Sequence, residues 1–172
     1  MQIPELKIQS NPYWIYIKYI LIGLLLSFLQ IALIPLIEIA QSVPNIVFLY
    51  VIWLTLRYGR FVGFVSGFVL GLIYDIFSLQ LVGVSSLSFL FGVLFASFWY
   101  QKDKEFLVLN SYRFILIVFV GGLIANLIQN LFFLRMSELE FLRVFILKWL
   151  GITVYTSVLS SIIVFVNLSK KR

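Results

Sequence analysis

Six apolar blocks, roughly Tyr13–Ile37, Val43–Leu56, Phe61–Phe77, Val84–Tyr100, Phe114–Leu134 and Trp149–Leu168, follow one another with only short polar stretches between them. No stretch outside the blocks is long enough to build a domain of its own. The blocks must therefore bury themselves against one another or in lipid. A helix rises about 1.5 Å per residue and the hydrocarbon core of a bilayer is about 30 Å thick, so the first, fifth and sixth blocks are long enough to span it. The second, third and fourth are short, which is expected of segments that cross a locally thinned or protein-lined region. At 62% hydrophobic and 12% charged over 172 residues, the chain lies far from the balance of a soluble domain. The expected fold is an all-α integral membrane protein: one domain over residues 1–172, a compact bundle of six transmembrane helices.

The sequence has no cysteine and no histidine. Disulfides and thiolate chemistry are excluded, and the commonest general base and metal ligand are missing. No Ser/His pair, metal cluster or paired intramembrane carboxylate is visible, so no catalytic residue, metal or cofactor is expected. The first apolar block is not followed by a small-residue cleavage site, and it reads as a retained first span.

The net charge of +6 reads as topology rather than as a nucleic-acid surface, because the basic residues sit at the ends of apolar blocks. With the N-terminus in the cytoplasm, Lys7, Lys18, Arg57, Arg60, Lys102, Lys104, Arg113, Lys170, Lys171 and Arg172 fall inside. Only Arg135, Arg143 and Lys148 fall outside. The positive-inside rule then puts both termini in the cytoplasm, and Trp14, Trp99 and Trp149 fall at span ends, where an indole prefers the interface.

Within "YGRFVGFVSGFVLGLIYDIF", Gly59, Gly63, Gly67 and Gly71 lie four apart and Asp75 stands where the next glycine would fall. Such spacing is a small-residue packing motif that lets another backbone come close. Each four-residue step overshoots a turn by about 40°, so the stripe winds, and two neighbours at different depths suit it better than one. The neighbour can belong to this chain or to a partner or second copy. A carboxylate at the C-terminal end of the third span opposes that helix's dipole, so Asp75 needs a partner elsewhere. Lys148 is one candidate, the backbone donors of "SLQLVGVSS" ahead of the fourth span are another, with Ser85 or Ser86 as a cap, and a functional role in docking a partner protein is the third.

In the fifth span Asn126, Gln129 and Asn130 share one face, with Gly122 a turn away. Amides facing lipid would be unsatisfied, so they must look inward. Thr153, Thr156 and Ser157 of the sixth span, with Asp75, Glu38 and Lys148, are placed near the same outer level. The convergence reads either as interhelical hydrogen bonding or as a cavity open to the outside. Between the last two spans, "RMSELEFLRVFILKW" reads as a short amphipathic helix on the outer interface or as an extension of the sixth span.

The stretch "PNIVFLYVIWLTLRYGRFVGFVSGFVLGLIYDIFSLQLVGVSSLSFLFGVLF", residues 44–95, resembles the rod shape-determining protein MreD family of bacteria. The features that match are the proline opening the second span, the short basic turn, the pattern of Gly67, Phe68, Gly71, Leu72 and Asp75, and Gly83 before a span rich in small residues. The resemblance implies a non-enzymatic inner-membrane component of the cell-elongation machinery. Its partners would be the bitopic protein MreC and, indirectly, the MreB cytoskeleton, the glycosyltransferase RodA and its class B penicillin-binding partner in lateral peptidoglycan synthesis. It also implies a fold similar to the substrate-binding subunits of energy-coupling-factor transporters. A vitamin-type ligand-binding subunit is accordingly the alternative, although the first span offers only Gly23 and Ser27 as small residues for docking a transport partner.

Overall fold

The computed structural model describes residues 12–39, 42–102, 104–133 and 141–169. Among them the regular structure is entirely helical: α1 (Pro12–Ala32), a 3-10 turn (Ile34–Ile37), α2 (Ile46–Tyr58), α3 (Arg60–Phe77), α4 (Val84–Ser97), α5 (Glu105–Leu109), α6 (Tyr112–Phe133) and α7 (Phe141–Ser169). Among the described residues two segments, Arg60–Phe77 and Tyr112–Phe132, are long and apolar enough to cross a membrane.

The short second block makes sense once its position is seen. Helix α2 is the hub, touching every other helix, and it is buried nearly all round: Val47, Val51 and Ile52 are fully enclosed, with Phe48, Leu49 and Leu56 beside them. A helix lined mostly by protein need not match the thickness of a lipid core. The other helices turn one face inward and leave Phe61, Phe68, Phe77, Phe98, Leu116 and Phe165 exposed, an apolar outer surface suited to lipid.

Local chemistry sets the helix ends. Pro35 has no N–H, and the first block leaves the α-helix at Ala32 and continues as a 3-10 turn rather than running on to Ile37 as expected. Asn45 caps α2, its side-chain oxygen accepting from the Phe48 N–H at 2.8 Å. Helices α2 and α3 meet at a single residue: Gly59, at φ +97°, donates to Thr55 O and accepts from Gly63 N–H. The stripe must be corrected here. Gly59 is the corner between two helices and not a member of the α3 face, because a chain that reverses in one residue needs a φ that side chains disfavour.

The fourth block stops at Ser97 instead of Tyr100, with Phe98 and Trp99 in a turn. The five-residue α5 was not foreseen. It buries Val108 and Leu109 against the core, and the Arg57 guanidinium lies 5.0 Å over the Phe106 ring. Of the two readings for the segment before Trp149, α7 follows the extension, since it is continuous from Phe141. Residues 134–140 lie outside the described residues, as do Lys7 and the basic C-terminal residues 170–172.

Candidate functional site

The glycines of α3 hand the helix from one neighbour to another. A methyl group at Gly63 would collide with the Thr55 side chain of α2, and one at Gly67 would rest in ordinary contact with Val51 of α2 and Val93 of α4. At Gly71 it would strike the Ser86 backbone of α4, 2.6 Å from its nitrogen. Winding of the stripe thus produces two partners at two depths, both within this chain. Ser86 closes the crossing by donating its hydroxyl to Phe68 O at 3.0 Å. A second close approach that the spacing did not reveal joins α4 and α6, where Gly92 faces the Phe48 ring and the Gly121 carbonyl.

Asp75 is fully buried at the end of α3. One carboxylate oxygen accepts from Gly83 N–H at 2.8 Å, and both receive Ser85 N–H, at 3.1 and 3.3 Å. These donors open α4, where a helix has orphan N–H groups and the positive end of its dipole. Gly83, the N-cap residue, sits at φ +98° and has no side chain with which to cap. Asp75 supplies the missing cap from eight residues upstream. The charge that opposes the α3 dipole therefore complements the α4 dipole, which is the backbone-donor reading of its role. Lys148, the other candidate, falls in α7 with its side chain outside the described residues.

Beside this knot the polar side chains gather. Asn126 donates to Thr153 Oγ1 at 2.9 Å, and Gln129 to Ser85 Oγ at 3.3 Å. Thr153 and Ser157 donate back into their own helix, to Trp149 O and Thr153 O, and Ser157 makes no cross-helix hydrogen bond among the described residues. Trp149 is tied to α6 through its indole N–H, which donates to Leu123 O at 2.8 Å. Glu38, expected at the same level, is exposed at the end of the 3-10 turn and stands outside the cluster.

Three contributors were missed. Gln30 of α1 bridges the entry to α2, donating to Pro44 O at 2.9 Å and accepting from Ile46 N–H at 2.8 Å. Asn45 brings its cap amide, and its backbone N–H donates to Thr156 Oγ1 at 3.0 Å. Gln80 comes from the α3–α4 turn, its N–H held by Asp75 O at 3.1 Å. A lone glutamine within an apolar block and an asparagine after a proline were the available signals. Together with Asn126, Gln129, Asn130 and Tyr74, these residues line a cavity of about 180 Å³. Two larger apolar grooves flank α1, one of about 470 Å³ against α2 and α7, the other of about 340 Å³ against α2 and α3.

Comparison with protein families supplies the context for this arrangement. The model of the rod shape-determining protein MreD family matches residues 10–169. The chain belongs to the MreD family. Comparison with curated proteins and with solved structures gives no match. The MreD match runs beyond the stretch that first suggested it, through α6 and α7, where no motif was legible. As an MreD-family member the chain is a membrane protein with a role in rod-shape determination.

Proposed function

We propose that the chain is a non-enzymatic scaffold of the bacterial cell-elongation machinery, binding MreC and helping to organise lateral peptidoglycan synthesis. In this reading it crosses the cytoplasmic (inner) membrane six times, with both termini cytoplasmic. MreB, RodA and the class B penicillin-binding partner are reached indirectly, and self-association is compatible with the role. The observation that carries the proposal is the family match through residues 10–169. Composition supports it, since a chain without histidine or cysteine has packing surfaces as its main resource. The apolar grooves on either side of α1 are lateral surfaces on which a single membrane-spanning helix, as in a bitopic partner, can pack. The experiment is a pull-down of the tagged chain from native membranes. MreC is the expected co-purifying protein; recovery of a transporter ATPase without MreC would reverse the assignment.

The second reading, a substrate-binding subunit of a vitamin-type transporter, is favoured by the polar cavity. It is weakened by the two small residues in α1. Gly23 is packed against Leu70, and Ser27 is fully buried with its hydroxyl donating to Gly23 O, so neither is presented to an outside partner.

A further inference from the structure

Packing and capping explain only part of the composition of the polar cavity. Six carboxamides, Gln30, Asn45, Gln80, Asn126, Gln129 and Asn130, line about 180 Å³ and come from α1, the entry to α2, the α3–α4 turn and α6. Several are already anchored at one end. Gln30 is held at both its atoms, Asn45 by Phe48 N–H, Asn126 by Thr153 and Gln129 by Ser85. Anchoring fixes their orientation and leaves the Asn45 Nδ2, Asn126 Oδ1 and Gln129 Oε1 atoms without a partner among the described residues. Both ends of Asn130 are also unpartnered there. Gln80 Oε1 is buried and accepts no hydrogen bond, although its backbone is pinned by Asp75. A buried acceptor of this kind costs stability and is satisfied by a donor placed against it.

We infer that this cavity is a binding site for a small, neutral, polyhydroxylated group of about monosaccharide size. The chemistry of the lining disfavours the other ligand classes. Among the described lining residues a charged ligand would find no counter-ion, and the carboxylate of Asp75, next in the chain to the lining Tyr74, is committed to Gly83 and Ser85. An apolar ligand would leave the amide donors and acceptors unpaired. Each carboxamide offers one acceptor and two donors, which suits hydroxyls, themselves both donor and acceptor. Tyr74 also lines the wall. The volume is enough for several waters, so occupation by water alone is the competing state. The site holds under either reading of the protein's role, because it rests on the lining and not on a partner.

The test uses the full-length chain in phosphatidylcholine nanodiscs, which contain no sugar detergent. Isothermal titration with glucose probes a free sugar; incorporation of an alkyl glucoside into the disc, read by thermal shift against an alkyl phosphocholine, probes the same group as a lipid headgroup. Binding in the first arm assigns a soluble ligand, and binding only in the second assigns a glycolipid; either supports the site. Gln80→Leu and Asn130→Leu, which remove no hydrogen bond seen in the fold, should each weaken binding about tenfold while keeping the wild-type helical circular dichroism. No binding in either arm means that the cavity holds water only and overturns the inference. Undiminished binding in both variants places the sugar elsewhere and overturns it equally. MreC recovery in a pull-down is a different readout, so failure here leaves the scaffold reading standing.

Discussion

A helix that starts at a glycine with positive φ has no side chain to satisfy its first N–H groups, and at Gly83 the repair comes from Asp75, a turn and a loop earlier. The carboxylate accepts from two backbone donors at the positive end of α4, and its burial makes both bonds hard to replace with water. Asp75→Asn keeps one acceptor but turns an N–H₂ group toward the same donors; it should lower stability by about 1–3 kcal/mol. Denaturation in detergent measures this, and an unchanged transition would show that the cap contributes nothing. The glycines divide just as sharply. Gly71→Ala should be strongly destabilising because the obstacle is the Ser86 backbone, whereas Gly67→Ala should be close to neutral, since the added methyl meets Val51 and Val93 at 3.4 Å. Gly83→Ala meets no atom but must adopt φ +98°, at a cost of about 1–2 kcal/mol. Melting the three variants side by side orders them; equal behaviour of the first two would refute the close-approach argument.

Among the elements, α2 and α1 behave oppositely. Helix α2 is largely enclosed, and its identity as a short, apolar, mostly buried helix follows from its central place. Helix α1 exposes Ile20, Leu21, Leu25 and Phe28 and is fastened to the bundle by a few polar ties. Gln30 is the strongest, bridging Pro44 O and Ile46 N–H; Tyr50 donates to Tyr19 O at 3.0 Å, and Tyr58 to the Tyr19 hydroxyl. Gln30→Leu should destabilise by about 1–3 kcal/mol, because two buried backbone groups lose their partner, one of them a proline carbonyl just before the α2 cap. Leu25→Ala, at a site 58% exposed, is the control and should change the detergent melt little. If both variants melt together, the glutamine bridge is not what holds α1.

At the scale of the whole molecule, the proposed orientation is tested by fusions after Arg172: a fluorescent reporter should be active and a phosphatase inactive, and the reverse pattern would sink the placement of both termini in the cytoplasm. That orientation rests on charge, which is a property of sequence, and apolar blocks separated by short loops left helices as the only economical way to satisfy the backbone in lipid. The inward-facing amides of α6 were legible for the same reason, since a polar group on an apolar helix must find a partner. Which partner was not legible. Gly59 shares the spacing of Gly63 yet forms a corner, because period alone does not show where a helix ends. Asp75 meets the donors of α4 through a turn whose path depends on Leu79 at φ 54° and Gly83 at φ +98°. Gln30, Asn45 and Gln80 stand 15 to 50 positions apart and reach one cavity only because α1, α2 and the α3–α4 turn pack at one end of α6. Hydropathy and charge act locally along the chain and were fixed by the sequence order itself; capping at a distance and convergence of amides are set by three-dimensional neighbours, and only the tertiary structure decided them.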